Sequence, residues 1–170
     1  MKRTALLVID IQRSAFDGQR CPVIGQAPMV TPVFVFGTLK EGFPNFGTNA
    51  GTRMAGSFVT VQSYPLYLVG ERHSPWMIDA PGQGHNVVGQ VFEVDRAALA
   101  RMDALERVNE PDGYRRVPIA VRSRSSSADA GITVHAYLKQ RQHLADAAIM
   151  AGPLPEYLLE HAALYRRRAP

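Results

Sequence analysis

The chain has 170 residues, 46% of them hydrophobic and 20% charged, with a formal net charge of +4. That length and composition describe one soluble globular domain with a core of its own and exclude a disordered chain. Cys21 is the sole cysteine, which excludes an intrachain disulfide and a cysteine-based zinc cluster, and the histidines at 73, 85, 135, 143 and 161 lack metal-site spacing. No metal or organic cofactor is expected. No stretch approaches the roughly 20 apolar residues of a membrane span. Arg166, Arg167 and Arg168 carry much of the excess charge and read as a solvated helix end, since no aromatic residues interleave with them as in a nucleic-acid surface. The expectation is a cytoplasmic protein, with neither nucleic acid nor membrane as partner.

In chain order, Lys2 and Arg3 followed by Ala5 to Ile9 begin like a signal peptide, but Asp10 ends the run early and no small-residue cleavage site follows. Thr4 to Ile11 reads as a strand. Its sequence, TALLVIDI, is similar to the first strand of isochorismatase-like hydrolases, with Asp10 where that family has a catalytic aspartate. The likeness covers about the first 18 residues. That family also requires a lysine and a nucleophilic cysteine far downstream, which Cys21 does not supply, so the activity is rejected. Asp17 to Pro32 holds Gly18, Pro22, Gly25, Pro28 and Pro32 and reads as a linker. Residues 1–30 are therefore expected to be an N-terminal extension and linker, and 31–170 the main domain.

Val33 to Phe36 is a continuous run of β-branched and aromatic residues, which suits a buried strand. Gly37 breaks it and permits close approach of a ligand or a second backbone. The amides of Gly37, Thr38 and Leu39 then lie beyond the strand with no evident ladder partner, an arrangement that serves anions and oxyanions. A strand that merely turns at a glycine would look the same.

Residues 46–56 are polar and glycine-rich, with a short helix expected around Thr48 to Met54. Ser57 to Gln62 and Leu66 to Val69 read as strands. Trp76, the lone tryptophan, is expected in the core. Asn86 to Val94 alternates and reads as a strand. Asp95 caps a helix, DRAALARMDALERV. Arg115 to Arg122 and Gly131 to Lys139 are strands joined by a polar loop at Ser123 to Ala130. Leu154 to Arg168 reads as a terminal helix with Pro155 in its first turn.

On the Asp95 helix, Ala98, Leu99, Met102 and Leu105 define an apolar arc, and Glu106 falls inside it at about 80° from Ala98. Asp103, at about 140°, lies outside the arc and is assigned to structure. A carboxylate aimed at the core side, near a helix C-terminus, has its pKa raised by both burial and the macrodipole. That is the tuning a general base needs near neutral pH. Pairing of Glu106 with Arg107, Arg115 or Arg116 would serve equally well on geometry alone.

Three stretches resemble the γ-glutamylcyclotransferase-like (AIG2-like) superfamily, and within it the γ-glutamylamine cyclotransferases. FGTLKEGFPN is similar to the substrate loop (Y/F)GTLxxGxxN. YPLYLVGERHSPWMIDAP is similar to a segment with YPL, a glycine turn and a Pro-Trp pair. MDALERVNEPDGYRR is similar to LDxFExxPxxYxR. They occur in the family's order between Val33 and Lys139. The resemblance implies an α+β fold, a small mixed β-barrel with flanking helices. It implies that Glu106 is the catalytic acid/base and that Phe36, Gly37, Thr38, Leu39 and Tyr114 bind substrate. Phe36 stands where many members have tyrosine, and VNEPDG is longer than the usual spacing before the tyrosine. The implied activity is cyclisation of a γ-glutamyl amide to 5-oxoproline with release of an amine. A non-catalytic small-molecule-binding domain of the same fold is the alternative.

Overall fold

The computed structural model describes residues 29–125 and 131–168. The strand expected over Thr4 to Ile11, the linker as far as Pro28, Cys21 and the tip of the polar loop after Ser125 lie outside the described residues.

The described residues form nine strands and two α-helices: β1 (Thr31–Val35), β2 (Thr52–Arg53), β3 (Phe58–Thr60), β4 (Leu66–Val69), β5 (Ser74–Met77), β6 (Val88–Val94), α1 (Arg96–Leu105), β7 (Arg115–Ser123), β8 (Ile132–Leu138), β9 (Ile149–Ala151) and α2 (Leu159–Leu164). The strand order β1-β8-β7-β3-β6 closes through a further β6–β1 pairing, giving a five-stranded barrel with β2 attached outside it on β6. β1 and β8 run parallel and the other barrel pairs antiparallel, so the barrel is mixed. Closure satisfies the backbone donors and acceptors that an open sheet would leave at its edges. A separate sheet, β5-β4-β9, is joined to the barrel by a bridge between Ile78 and Lys139.

The apolar run of β1 is continuous because both of its faces are covered. Phe34 and Phe36 point into the barrel with Val91, Ile119, Val121, Val134, Ala136 and Leu138. Val33 and Val35 point outward and are roofed by Ala98 and Met102 of α1, together with Phe92, Val94 and Tyr137. Asp95 caps α1 by accepting the Ala98 N–H at 2.7 Å, satisfying a donor that the first turn leaves free.

Four expectations are corrected. Between residues 46 and 56 there is a single 3-10 turn at Phe46–Thr48, followed by β2, in place of a helix over Thr48 to Met54. β5 and β9 were not expected as strands. The linker reading stops short of Thr31, because Thr31 and Pro32 open β1 opposite Val94 and Glu93. The terminal helix is only α2: residues 154–157 stay extended, Leu154 N–H donating to Leu66 and Val88 N–H to the Pro155 carbonyl. Pairing with β6, through the Pro155 carbonyl and the Val88–Glu156 bridge, holds the segment extended where a first helical turn would otherwise begin. After Leu164 the chain straightens again at Tyr165, so the arginine run is an extended segment and not a helix end.

Candidate active site

A cavity of about 990 Å³ lies where β1, α1, the β4–β5 hairpin and the C-terminal segment meet. Pockets at the upper end of the usual range hold ligands well above a single amino acid in size. Every sequence-predicted site residue lines it: Phe36, Gly37, Thr38, Leu39, Glu106 and Tyr114.

The loop after β1 is closed by the asparagine of its own motif. Asn45 N–H donates to the Thr38 carbonyl at 2.9 Å, and its side-chain amide donates to Thr38 Oγ1 at 2.9 Å and to the Tyr165 hydroxyl at 3.1 Å. The Gly37 carbonyl accepts the Lys40 N–H at 3.1 Å, and the N–H groups of Gly37, Thr38 and Leu39 have no acceptor among the described residues. Gly37 is required by close packing: a Cβ there would lie 2.8 Å from Pro75 Cγ. Phe36 contributes only a ring, 6% exposed.

Glu106 is the C-cap of α1. The helix ends in a Schellman arrangement, Val108 N–H to the Asp103 carbonyl at 3.1 Å and Arg107 N–H to Ala104 at 3.2 Å. Arg107 takes the left-handed position usually given to glycine, φ 55°, which costs roughly 1–2 kcal/mol for an L-residue. Its side chain is held by Asp112 at 2.8 Å and Glu110 at 3.8 Å. Tyr114 N–H then returns to the Glu106 carbonyl at 2.9 Å. The VNEPDG loop therefore bulges outward between two pinned ends, with Tyr114 in the cavity wall. The Tyr114 hydroxyl donates to the Pro75 carbonyl at 3.1 Å.

None of the arginines that would neutralise Glu106 does so. Arg107 is paired within its own loop, Arg116 pairs with Asp103 at 2.9 Å, and Arg115 is exposed. Burial pushes the Glu106 carboxyl up to about 7, with the Lys139 ammonium pulling in the opposite direction. Asp103 does not point away from the fold. It joins α1 to the barrel, binding Arg116 through both oxygens and accepting the Tyr137 hydroxyl at 2.7 Å. Asp103→Ala leaves two half-buried donors unsatisfied, and a loss of about 1–3 kcal/mol is expected. A urea melt that matches wild type would show that α1 is held without this contact.

Three features of the site were not anticipated from the sequence. Trp76 is not in the core but stands half-buried in the cavity wall, with Lys139 Nζ 4.6 Å from its ring centroid. Lys139 itself is 5% exposed and directly follows β8, two residues beyond Tyr137; a lysine just after an apolar strand was the available signal. The C-terminal segment forms part of the cavity wall through Tyr165, Arg167 and Arg168. Arg166 N–H donates to the Arg72 carbonyl and Arg72 Nε to the Arg166 carbonyl, both at 3.0 Å, while Arg167 reaches the Pro44 carbonyl. Among the described residues no cluster of His, Cys, Asp or Glu is arranged to hold a metal ion, and no helix is long and apolar enough to cross a membrane.

A closed mixed barrel thus brings a partly buried glutamate and three amides without an acceptor among the described residues to one cavity. The gamma-glutamyl cyclotransferase, AIG2-like family matches residues 33–154, and the chain belongs to that family. It is 37% identical over 109 residues to the gamma-glutamylaminecyclotransferase of Bos taurus, covering 61% of this chain and 64% of that one. It is 38% identical over 95 residues to the rat protein of the same name, covering 53% and 62%. The matched stretch thus spans somewhat under two thirds of these curated relatives. Among solved structures, an AIG2-like protein from Mus musculus superposes with a TM-score of 0.67 at 27% identity, covering 83% of this chain and 98% of that one.

Proposed function

We propose that this protein is a γ-glutamyl amide cyclotransferase. The observation that supports it most is Glu106: a carboxyl facing the cavity, free of any arginine, with its pKa raised to about 7. In the proposed reaction the substrate's own α-amine attacks its γ-carbonyl, the amide C–N bond breaks, and 5-oxoproline and an amine leave. Ring closure within one molecule needs orientation more than a protein nucleophile. Glu106 takes the proton from the α-ammonium and returns it to the departing amine. The amides of Gly37, Thr38 and Leu39 hold substrate oxygens and the negative charge that develops on the carbonyl. The reaction balances without a cofactor.

The test is a panel of γ-glutamyl amides assayed for 5-oxoproline across pH. Glu106 must be ionised to accept the proton, so kcat/KM is expected to rise with pH through about 7. No 5-oxoproline from any amide, or a rate flat from pH 5 to 9, would remove this reading.

A further inference from the structure

Asn45 and Tyr165 both line the cavity, and the proposed chemistry uses neither of them. The side-chain amide of an asparagine has two hydrogens to give. Those of Asn45 go to Thr38 Oγ1 at 2.9 Å and to the Tyr165 hydroxyl at 3.1 Å. Arg72 Nη2 is a second donor to the Tyr165 hydroxyl, at 3.4 Å. A hydroxyl offers one proton and two acceptor positions. The hydroxyl of Tyr165 therefore receives from donors only, and Thr38 Oγ1 likewise receives without giving, among the described residues. Both protons are left for another acceptor. Both residues line the cavity, Thr38 from the loop after β1 and Tyr165 from the C-terminal segment. The tyrosine is held in place by its neighbour in the chain, since Arg166 N–H donates to the Arg72 carbonyl and Arg72 Nε to the Arg166 carbonyl, both at 3.0 Å.

We infer that the hydroxyls of Thr38 and Tyr165 are a donor pair for the α-carboxylate of the glutamyl half, and that Asn45 is the positioning residue that sets the direction of both protons. This rests on the cyclotransferase reading, in which Glu106 takes the α-amine and the amides of residues 37–39 take the charge that develops on the γ-carbonyl. The α-carboxylate is then the one charged group of the glutamyl half still without a partner. Hydroxyl donors to a carboxylate are charge-assisted, and two of them match its two oxygens. The Arg72 guanidinium carbon, 5.8 Å from the Tyr165 ring centroid, adds positive charge beside the pair. Because one carboxamide already holds both hydroxyl oxygens, the donors need no reorientation when the substrate arrives. The C-terminal segment is thus a working part of the glutamyl site through Tyr165.

The test sets 5-oxoproline, which keeps that carboxylate, against its neutral carboxamide in calorimetry. Wild type should bind the acid more tightly by roughly tenfold or more, as hydrogen bonds to a charged group do. Tyr165→Phe keeps the ring and removes the proton. It should cut the acid-to-carboxamide ratio by roughly tenfold and change the carboxamide much less. A tyrosine that only holds the segment in place would weaken both ligands alike and leave the ratio where it was. Turnover of a γ-glutamyl amide gives a second reading. The α-carboxylate is unchanged by the reaction, so Tyr165→Phe should raise KM and leave kcat within about twofold. Asn45→Asp keeps the shape but accepts where Asn45 donates, drawing both protons off the ligand, and should weaken the acid at least as much as Tyr165→Phe. An unchanged ratio in Tyr165→Phe, a fall in its kcat with KM constant, or full affinity for the acid in Asn45→Asp overturns the assignment. If no amide yields 5-oxoproline, yet the acid binds wild type and loses roughly tenfold in Tyr165→Phe, the donor pair stands and the cyclotransferase reading falls. If amides are turned over and the ratio is unchanged in Tyr165→Phe, the reverse holds.

Discussion

Glu106→Gln is expected to lower turnover by roughly 10²–10⁴-fold, the range general acid–base groups supply, while substrate binding through the loop amides persists. Its effect on stability should carry a pH signature. In the folded protein Glu106 ionises near 7, against 4.5 for the ordinary glutamate. Between those values the folded chain holds a proton that the unfolded chain has released. The stability this carboxyl contributes is therefore fully present below about pH 4.5, falls as pH rises through about 7, and is gone above it. The gap corresponds to about 3 kcal/mol at most. Glutamine cannot ionise, so the variant should melt close to wild type at pH 5 and above it at pH 8. A melt and a 5-oxoproline assay on one preparation decide the matter. Near wild-type turnover would sink the mechanism, and a variant less stable than wild type at pH 8 would mean that Glu106 has a cationic partner after all.

Gly37→Val should produce the second large effect. The first added carbon already lies 2.8 Å from Pro75 Cγ, and the branched side chain worsens the conflict. Either the loop or β5 must move, and overpacking of this kind costs about 1–3 kcal/mol. The functional loss should be larger, because displacing the loop misaligns the three amides. Loss of a single oxyanion donor costs roughly 10²-fold or more in kcat. Since Pro75 also accepts the Tyr114 hydroxyl, the same shift reaches the other wall of the cavity. A variant with wild-type kcat and only a lowered melting temperature would mark Gly37 as a packing residue and nothing more.

Local pattern was a good guide wherever one element decided its own fate. β1, β4, β6, β7 and β8 fall within a residue or two of where alternation and β-branched runs put them, and Asp95 starts α1 as its side chain predicts. Glu106 was legible because helical geometry relates it to Ala98 and Met102. The shorter pieces were not, since partners define them. Ser74–Met77 contains a proline and four residues, and is a strand only because β4 pairs with it. Ile149–Ala151 is exposed apolar sequence until β4 takes its other edge. The C-terminal residues have helical composition, yet Pro155 and the strands beside it hold the approach extended, and Arg72 holds the exit. The identities of Gly37, Thr38 and Leu39 were visible. The bonds by which Asn45 shapes their loop, to the Thr38 carbonyl and hydroxyl and to the Tyr165 hydroxyl, depend on contacts that no periodicity encodes.

The placement of Trp76 has an optical consequence. It is the sole tryptophan of the chain, and its indole stands in the cavity wall beneath a lysine ammonium and beside Tyr114. Emission excited at the red edge of the indole band therefore arises from the cavity alone, with no second indole to dilute it. Any ligand that draws Lys139 off the ring, or excludes water from it, changes that emission directly. The protein thus carries its own fluorescent reporter of occupancy, usable in a stopped-flow instrument on unlabelled material with substrates that have no chromophore.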